Sequence, residues 1–214
     1  MKVKVLACET LRDEIESIIQ KNKLDFEIIW LESGLHNTPK KLHKCIQEKL
    51  DSVTGCDRLL MALGRCGNSV LDLMTGDYET IMPKVEDCIS LFFGSDKARN
   101  DYGREHAAIY MTEGWLRGES NIISEYNHML EKYGEDTARD IIEMMYGHYI
   151  ELALLDTGVY PIERLFEETE AVEKIIGLKR ACVSAKIDYL EQLFLDPMDT
   201  EKFWIFPPHT KIVI

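Results

Sequence analysis

The feature that most constrains the fold is a strand–helix alternation that begins at the first residues. The apolar segment Val3–Cys8 predicts a strand, and Leu11 and Ile15 then recur at helical spacing. The same pattern returns over residues 26–50 and again over residues 58–74. Consecutive units of this kind favour parallel strands joined by right-handed crossovers. The sequence therefore predicts an α/β protein with Rossmann-like parallel sheets flanked by helices.

Several later segments extend this prediction. Thr80–Pro83 is predicted as an edge strand because a proline cannot donate a hydrogen bond to a neighbour. Residues 95–105 are polar without a hydrophobic period and predict a loop, and residues 179–194 predict a helix. The strand–helix pattern resumes after the polar stretch. We therefore expect two similar α/β lobes, residues 1–98 and 106–214, with a cleft between them.

Composition excludes several classes of partner. The formal net charge is −13, from 38 acidic and 25 basic residues, and no run of Lys and Arg could follow a phosphate backbone. We therefore expect neither nucleic acid nor a membrane as a partner. No segment approaches the roughly 18 to 20 apolar residues that cross a bilayer, and the first residues read as a strand rather than a signal peptide. The pattern predicts a cytoplasmic protein.

The cysteines are the residues most suited to chemistry. None of the six forms a CxxC pair, and a reducing compartment would keep them as thiols. Three of them lie in predicted helices or a linker and are best explained as small buried residues. The six are Cys8, Cys45, Cys56, Cys66, Cys88 and Cys182, of which Cys45, Cys56 and Cys182 are the structural ones.

The other three cysteines follow predicted strands. Cys8 ends the first strand, Cys66 lies in the turn after the third, and Cys88 lies in the first turn of the helix after the fourth. Because carboxyl ends of parallel strands share one edge, we expect these thiols to converge there. The positive end of a helix dipole favours thiolate at Cys88. Three thiolates could ligate zinc or an iron–sulfur cluster.

Residues beside these cysteines complete the predicted site. Gly64, Gly67 and Asn68 form a turn whose backbone could come close to a bound cofactor. Glu9 could act as a base or ligand. A helix-start carboxylate or an exposed charge explains Glu9 as well.

A second set of candidates follows the two predicted strands of the second lobe. Thr112, Glu113 and Trp115 follow one strand, and Asp156 and Thr157 follow the other. We interpret Glu113 as a catalytic carboxylate and the other four as cofactor-binding residues of a pocket wall. Turn formation alone explains them equally well.

Four blocks of the chain together resemble a family. It is the domain-of-unknown-function family numbered sixteen thirty-eight, known from methanogenic archaea and anaerobic bacteria, and the likeness covers nearly the whole chain. Arg65 stands where the family has an apolar residue, Lys84 where it has arginine, and Glu86 where it has aspartate. Its genes often accompany corrinoid-dependent methyltransferases, so the resemblance implies a role near one-carbon metabolism. The blocks are Leu63–Asn68, Pro83–Ser95, Tyr110–Leu116 and Leu155–Gly158.

Three hypotheses follow. The first is a metal-binding protein in which Cys8, Cys66 and Cys88 hold zinc or an iron–sulfur cluster at the inter-lobe cleft and serve corrinoid-linked methyl transfer. The second is a non-catalytic module that binds a corrinoid, a tetrapyrrole or a methyltransferase partner. The third is a metal-free redox thiol protein, in which Cys88 would be selectively alkylated at neutral pH. The partner is a small molecule or a corrinoid protein, and the oligomeric state stays open.

Overall fold

A computed structural model describes residues 1–118 and 120–214. Within them the chain forms two compact units, residues 1–96 with 186–214, and residues 97–185. The last segment thus returns to the first unit, which differs from the predicted boundary of 106–214. Both units contain parallel strands flanked by helices, so the predicted α/β class is confirmed.

The first unit is built on a five-stranded sheet in the order β2-β1-β3-β4-β8. Its first four strands are parallel, and β8 runs antiparallel to β4. From β1 the chain passes to β2 on one side of β1, and from β2 it passes to β3 on the opposite side of β1. The position between β1 and β3 is therefore a topological switch point. The strands are β1 Val3–Cys8, β2 Glu27–Leu31, β3 Arg58–Ala62, β4 Glu79–Pro83 and β8 Phe203–Phe206.

Amphipathic helices cover this sheet. Helix α1 (Arg12–Asn22) buries Ile15 and Ile18, and α2 (Pro39–Ser52) buries Leu42, Ile46 and Leu50 at four-residue spacing. Pro39 stands at the start of α2, where a missing N–H costs nothing. The remaining helices of the unit are α3 (Cys88–Phe93) and α10 (Asp188–Leu195), and α10 packs against α1, α3 and β3.

The second unit is smaller. Its parallel sheet has the order β5-β6-β7, with β5 Ala108–Met111, β6 Glu151–Asp156 and β7 Lys179–Ser184. Apolar residues of β5 and β6 form its core with residues from the helices. Those helices are α5 Glu113–Leu116, α6 Ile122–Tyr133, α7 Glu135–Tyr146, α8 Ile162–Glu168 and α9 Glu170–Ile176, while α4, Asp96–His106, begins at the boundary of the two units.

Four local predictions were wrong. Thr80–Pro83 is an interior strand paired on both sides, and its proline stands at the last position. Residues 95–105 lie mostly in α4, which buries no side chain and so carries no hydrophobic period. Residues 179–184 are strand β7, and the helix begins only at Asp188. The segment around Val70 forms turns instead of a helix.

In the part of the chain that the structure describes, none of the helices is both long and apolar enough to reach across a lipid bilayer.

Candidate functional site

The carboxyl ends of three adjacent strands form the first candidate site. Strands β1, β3 and β4 lie side by side and parallel, and each carries one of the predicted cysteines at or after its end. Cys8 is the last residue of β1, Cys66 follows β3, and Cys88 opens α3 after β4. The predicted convergence of these residues at one sheet edge, beside the switch point, therefore matches the topology.

The turn after β3 has a left-handed backbone over three consecutive residues. The φ angles are +41° at Cys66, +66° at Gly67 and +64° at Asn68. Only glycine adopts this region freely, and asparagine tolerates it better than most residues. Cys66 carries a cost of about 1 to 2 kcal/mol there. Backbone strain of this kind often occurs at functional sites.

The turns after β3 and β4 are held against each other by backbone hydrogen bonds. Arg65 N–H donates to the carbonyl of Val85 at 3.0 Å, and Cys66 N–H donates to the carbonyl of Glu86 at 2.8 Å. A Cβ atom at Gly64 would lie 2.5 Å from the Cα of Asp87. Gly64 therefore permits a close approach of the two backbones, and this approach brings Cys66 toward Cys88.

Helix α3 starts at Cys88 because Asp87 caps it. The Asp87 carboxylate accepts hydrogen bonds from Ser90 N–H at 2.9 Å and from the Ser90 hydroxyl at 3.0 Å. The next residues, Ile89 and Leu91, are buried and pull the helix onto the core. Cys88 is thereby fixed at the first helical position with 4% of its surface exposed.

The three thiols form a chain of interactions through Cys88. A hydrogen bond with Cys88, together with burial, raises the pKa of the Cys8 thiol well above its ordinary value. A hydrogen bond with Cys66, together with burial, raises the pKa of Cys88 well above its ordinary value, although the hydrogen bond with Cys8 acts to lower it. The Thr10 hydroxyl donates to Cys8 Sγ at 3.1 Å, which acts to lower the pKa of Cys8 but is outweighed by the hydrogen bond with Cys88 and by burial. Cys8 and Cys88 are therefore held as protonated thiols at neutral pH.

The predicted three-cysteine metal centre is wrong. Among residues 1–118 and 120–214, no group of three or more His, Cys, Asp or Glu side chains could hold a metal ion. A zinc site needs each deprotonated sulfur about 2.3 Å from one point. Here a hydrogen bond with Cys88 and burial hold Cys8 as a thiol, and a hydrogen bond with Cys66 and burial hold Cys88 as a thiol. The expected helix-dipole lowering of the Cys88 pKa is also wrong, because burial and the contact with Cys66 outweigh it.

The predicted residue Glu9 and a second carboxylate, Glu86, lie at the same sheet edge as the thiol cluster. Glu9 begins a short 3-10 helix and forms an ion pair with Arg12 at 3.0 Å. The Arg12 guanidinium in turn lies 4.2 Å from the centre of the Trp30 ring. Glu86, one residue before Asp87, pairs with Arg65 at 3.4 Å. Both carboxylates are thus engaged by arginines at the edge where Cys8 and Cys66 lie.

A surface pocket of about 250 Å³ opens beside the Cys66 turn. It lies between that turn and the first residues of α2, and Gly67, the residue after Cys66, forms part of its wall. His43 contributes a ring nitrogen 3.0 Å from the carbonyl oxygen of Ser69. The lining residues are Pro39, Lys40, His43, Gly67, Asn68 and Ser69.

The remaining cysteines lie on other elements of the fold. Cys45 and Cys56 pack at the margin of the first unit's core. Cys182 is exposed on strand β7 of the second unit rather than within a helix.

The second unit carries its own polar group at the carboxyl ends of β5 and β6. Thr112 caps α5 by accepting a hydrogen bond from Trp115 N–H at 3.3 Å, and Glu113 follows it with a side chain only 4% exposed. Arg164 Nη1 lies 2.7 Å and Arg117 Nη1 lies 3.7 Å from Glu113 Oε1. The sequence reasoning missed both arginines. The four-residue spacing of Glu113 and Arg117 could have indicated one of them.

The other predicted residues of this unit border the same edge. Asp156 ends β6 and accepts a hydrogen bond from Gly158 N–H at 3.0 Å, which shapes the turn, and Thr157 is buried beside it. Trp115 is partly buried against the unit's core. The Asn121 amide donates hydrogen bonds to the carbonyls of Trp115 and Leu116 in α5 and to the carbonyl of Gly118.

Fold and site together define an α/β protein with a buried thiol cluster at the switch point of a mostly parallel sheet. Comparison then gives the family: a profile of the family described as Protein of unknown function (DUF1638) matches residues 30–194. The chain belongs to that family, as its sequence blocks predicted. No curated protein and no solved structure matches it.

Proposed function

We propose that this chain is a metal-free dithiol protein that reduces a disulfide bond of another molecule. The observation that carries the proposal is the position of the Cys88 thiol, which is buried and interacts with both Cys8 and Cys66. A resolving thiol must be within reach of the attacking thiol and sheltered from competing reactions. Cys88 meets both conditions.

Cys66 is the residue that attacks in this scheme. It is only partly buried, it lies on a strained turn, and a pocket opens beside that turn. Cys88 is buried, and its raised pKa disfavours the reactive thiolate. The earlier hypothesis of selective alkylation at Cys88 is therefore replaced by attack at Cys66.

The reaction balances without a further oxidant. The Cys66 thiolate attacks one sulfur of the substrate disulfide, forming a mixed disulfide and releasing the first substrate thiol. Cys88 then attacks Cys66 Sγ, which releases the second substrate thiol and leaves a Cys66–Cys88 disulfide. The two protons of the protein thiols end on the two products. Exchange with Cys8 would move the bridge to Cys8–Cys88 and free Cys66.

A thiol titration with a chromogenic aromatic disulfide tests the proposal. A Cys45→Ser, Cys56→Ser, Cys182→Ser background retains only the cluster. We expect this protein to release two thiols per bridge formed, and peptide mapping to find Cys88 in the bridge. Cys66→Ser should abolish the fast phase. Cys88→Ser should stop at a stable mixed disulfide on Cys66, with circular dichroism confirming that it folds. A lasting mixed disulfide in the background protein, without any bridge, overturns the proposal.

Other parts of the expected role stay predictions. A dithiol protein works where external thiols return it to the reduced form, so we place the chain in the cytoplasm. The corrinoid link rests on family resemblance alone, and so does a corrinoid protein as partner. The acidic composition still argues against nucleic acid and membranes as partners.

A further inference from the structure

The arginines around Glu113 form a second group that the thiol chemistry does not use. Glu113 stands at the start of α5 after strand β5, and Arg164 stands on α8 after strand β6. These two strands are neighbours and run parallel, so both residues lie at the carboxyl edge of their sheet. In parallel α/β sheets this edge is where ligands bind.

The Arg164 guanidinium is held at this edge by charge and not by hydrogen bonds. Its Nη1 lies 2.7 Å from Glu113 Oε1, yet both carboxylate oxygens are buried without a hydrogen-bond partner. The N–H groups of Arg164 are therefore not aligned with the carboxylate. In the described part of the chain, this ion pair is the polar contact that Arg164 makes, and 57% of its side chain is exposed.

From this geometry we propose that the carboxyl edge of the β5-β6-β7 sheet binds a small oxyanion, the carboxylate or phosphate group of a ligand. Arg164 binds it through its unused N–H groups, with Arg117 beside it and Glu113 as the positioning residue. The planar guanidinium offers a pair of parallel donors that match the oxygens of both anions. This inference is independent of the proposed dithiol function.

The incomplete bonding of Glu113 separates this arrangement from a structural ion pair. A buried carboxylate that serves only to join two elements is normally hydrogen-bonded on its oxygens. Glu113 instead balances the charge of Arg164 and leaves N–H donors of the Arg164 guanidinium available at the surface. A surface pair such as Arg139 with Glu135 shows the contrast, because there the guanidinium donates to the carboxylate at 3.0 Å.

Titration with inorganic phosphate and, separately, with acetate tests the proposal on the full chain. We expect saturable binding of at least one anion by calorimetry, together with a rise in unfolding temperature. Arg164→Gln should weaken that binding by about tenfold or more, because it removes a charge-assisted hydrogen-bond donor. Arg139→Gln, in the same unit, should leave the affinity unchanged. Phosphate-selective binding assigns a phosphate ligand, and equal binding of both anions assigns the wider oxyanion class.

A double variant distinguishes a loss of anion binding from a loss of folding. Arg164→Gln leaves the Glu113 charge poorly compensated, whereas Glu113→Gln with Arg164→Gln removes both charges and should restore stability without restoring binding. Neither anion binding in the tens of millimolar, or equal affinity in wild type and the double variant, overturns the proposal. Failure here leaves the thiol titration unaffected, since that assay depends only on Cys66 and Cys88.

Discussion

The two units place different chemistry at equivalent positions. Each has polar groups at the carboxyl ends of adjacent parallel strands. In the first unit the groups are thiols that form hydrogen bonds with one another. In the second unit they are a buried carboxylate and two arginines. The thiol cluster is neutral and its members are hydrogen-bonded to one another, whereas the Glu113 cluster is charged and its carboxylate has no hydrogen-bond partner among the described residues.

This difference shows how each unit stabilises the polar side chains that it buries. Neutral thiols are cheap to bury, so the first unit can enclose Cys88 and rely on close backbone packing to bring the sulfurs together. A carboxylate is costly to bury, so the second unit needs arginine charge beside it. We therefore expect substitutions that alter packing to damage the first site most, and substitutions that alter charge to damage the second.

The largest expected effect is on the packing of the thiol site. Gly64→Ala would place a Cβ atom 2.5 Å from the Asp87 Cα, a backbone contact that cannot be relieved by a side-chain rotation. We expect the free energy of unfolding to fall by about 3 kcal/mol or more. Chemical denaturation measures it.

Gly158→Ala in the second unit is the matched control for Gly64→Ala. Gly158 has φ of +73° and open space around the added atom, so only the backbone conformation is penalised. We expect a loss of about 1 kcal/mol there. Equal losses in the two variants would show that the close contact of Gly64 with Asp87 does not matter for stability.

The next effect concerns charge in the second unit. Among the described residues, Arg164→Gln leaves the buried Glu113 carboxylate with Arg117, 3.7 Å away, as its ion-pair partner. We expect a loss of about 2 kcal/mol, less than for a fully buried pair because solvent screens the exposed arginine. Arg139→Gln should cost under about 0.5 kcal/mol, since its pair is exposed. If Arg164→Gln is as mild as Arg139→Gln, Glu113 does not depend on Arg164.

The third effect is a dependence on alkaline pH that belongs to the thiol site. The pKa of Cys8 is raised above 9.0 in the folded chain by its hydrogen bond with Cys88 and by burial, and the pKa of Cys88 is raised above 9.0 by its hydrogen bond with Cys66 and by burial. The unfolded chain therefore loses these protons at lower pH than the folded chain does. The stabilisation is complete below about pH 8.5, where cysteines of the unfolded chain stay protonated, and is lost as pH rises through the folded pKa values.

Each of these two thiols should lower the free energy of unfolding by up to about 1.4 kcal/mol per pH unit above that range. Cys88→Ala should reduce the slope of the free energy of unfolding against pH between pH 9 and 10. The reduction should equal the contribution of at least one thiol, because Cys8 also loses its hydrogen-bond partner. Cys182→Ala, which removes a thiol on exposed β7, should change the slope less. An identical slope in wild type and Cys88→Ala contradicts the thiol hydrogen bonds.

Much of the fold was predictable because hydrophobic periodicity reports burial. Helices α1 and α2 follow their apolar spacing, and the topology then brings Cys8, Cys66 and Cys88 to one edge. The same signal failed near Val70 and Leu73. Both are fully buried, so their spacing imitates a helix, but the backbone turns at Asn68 and Asp72 with positive φ.

The chemistry of the site was less predictable than its position. Whether a thiol at a strand end ionises depends on its neighbours and its burial, and both arise only from tertiary packing. Cys88 was expected to be a thiolate at a helix start, and its contact with Cys66 reverses that expectation. Arg164 lies 51 positions from Glu113 along the chain, and no local pattern connects them.

The smallest effect tests whether charge matters at all beside the thiol cluster. Lys40 lines the pocket next to the Cys66 turn, and its ammonium group should attract an anionic disulfide. We expect Lys40→Gln to slow the reaction of Cys66 with a negatively charged aromatic disulfide by about two- to threefold at low salt. Stopped-flow absorbance measures the rate.

A neutral disulfide should react equally with both proteins, and added salt should remove the difference. Lys44→Gln is the control, because Lys44 lies further along α2 and pairs with Glu48 at 3.7 Å. If Lys40→Gln slows neutral and charged disulfides alike, Lys40 shapes the pocket instead of supplying charge. The thiol site would then depend on packing throughout, and its contrast with the charged Glu113 cluster would become sharper.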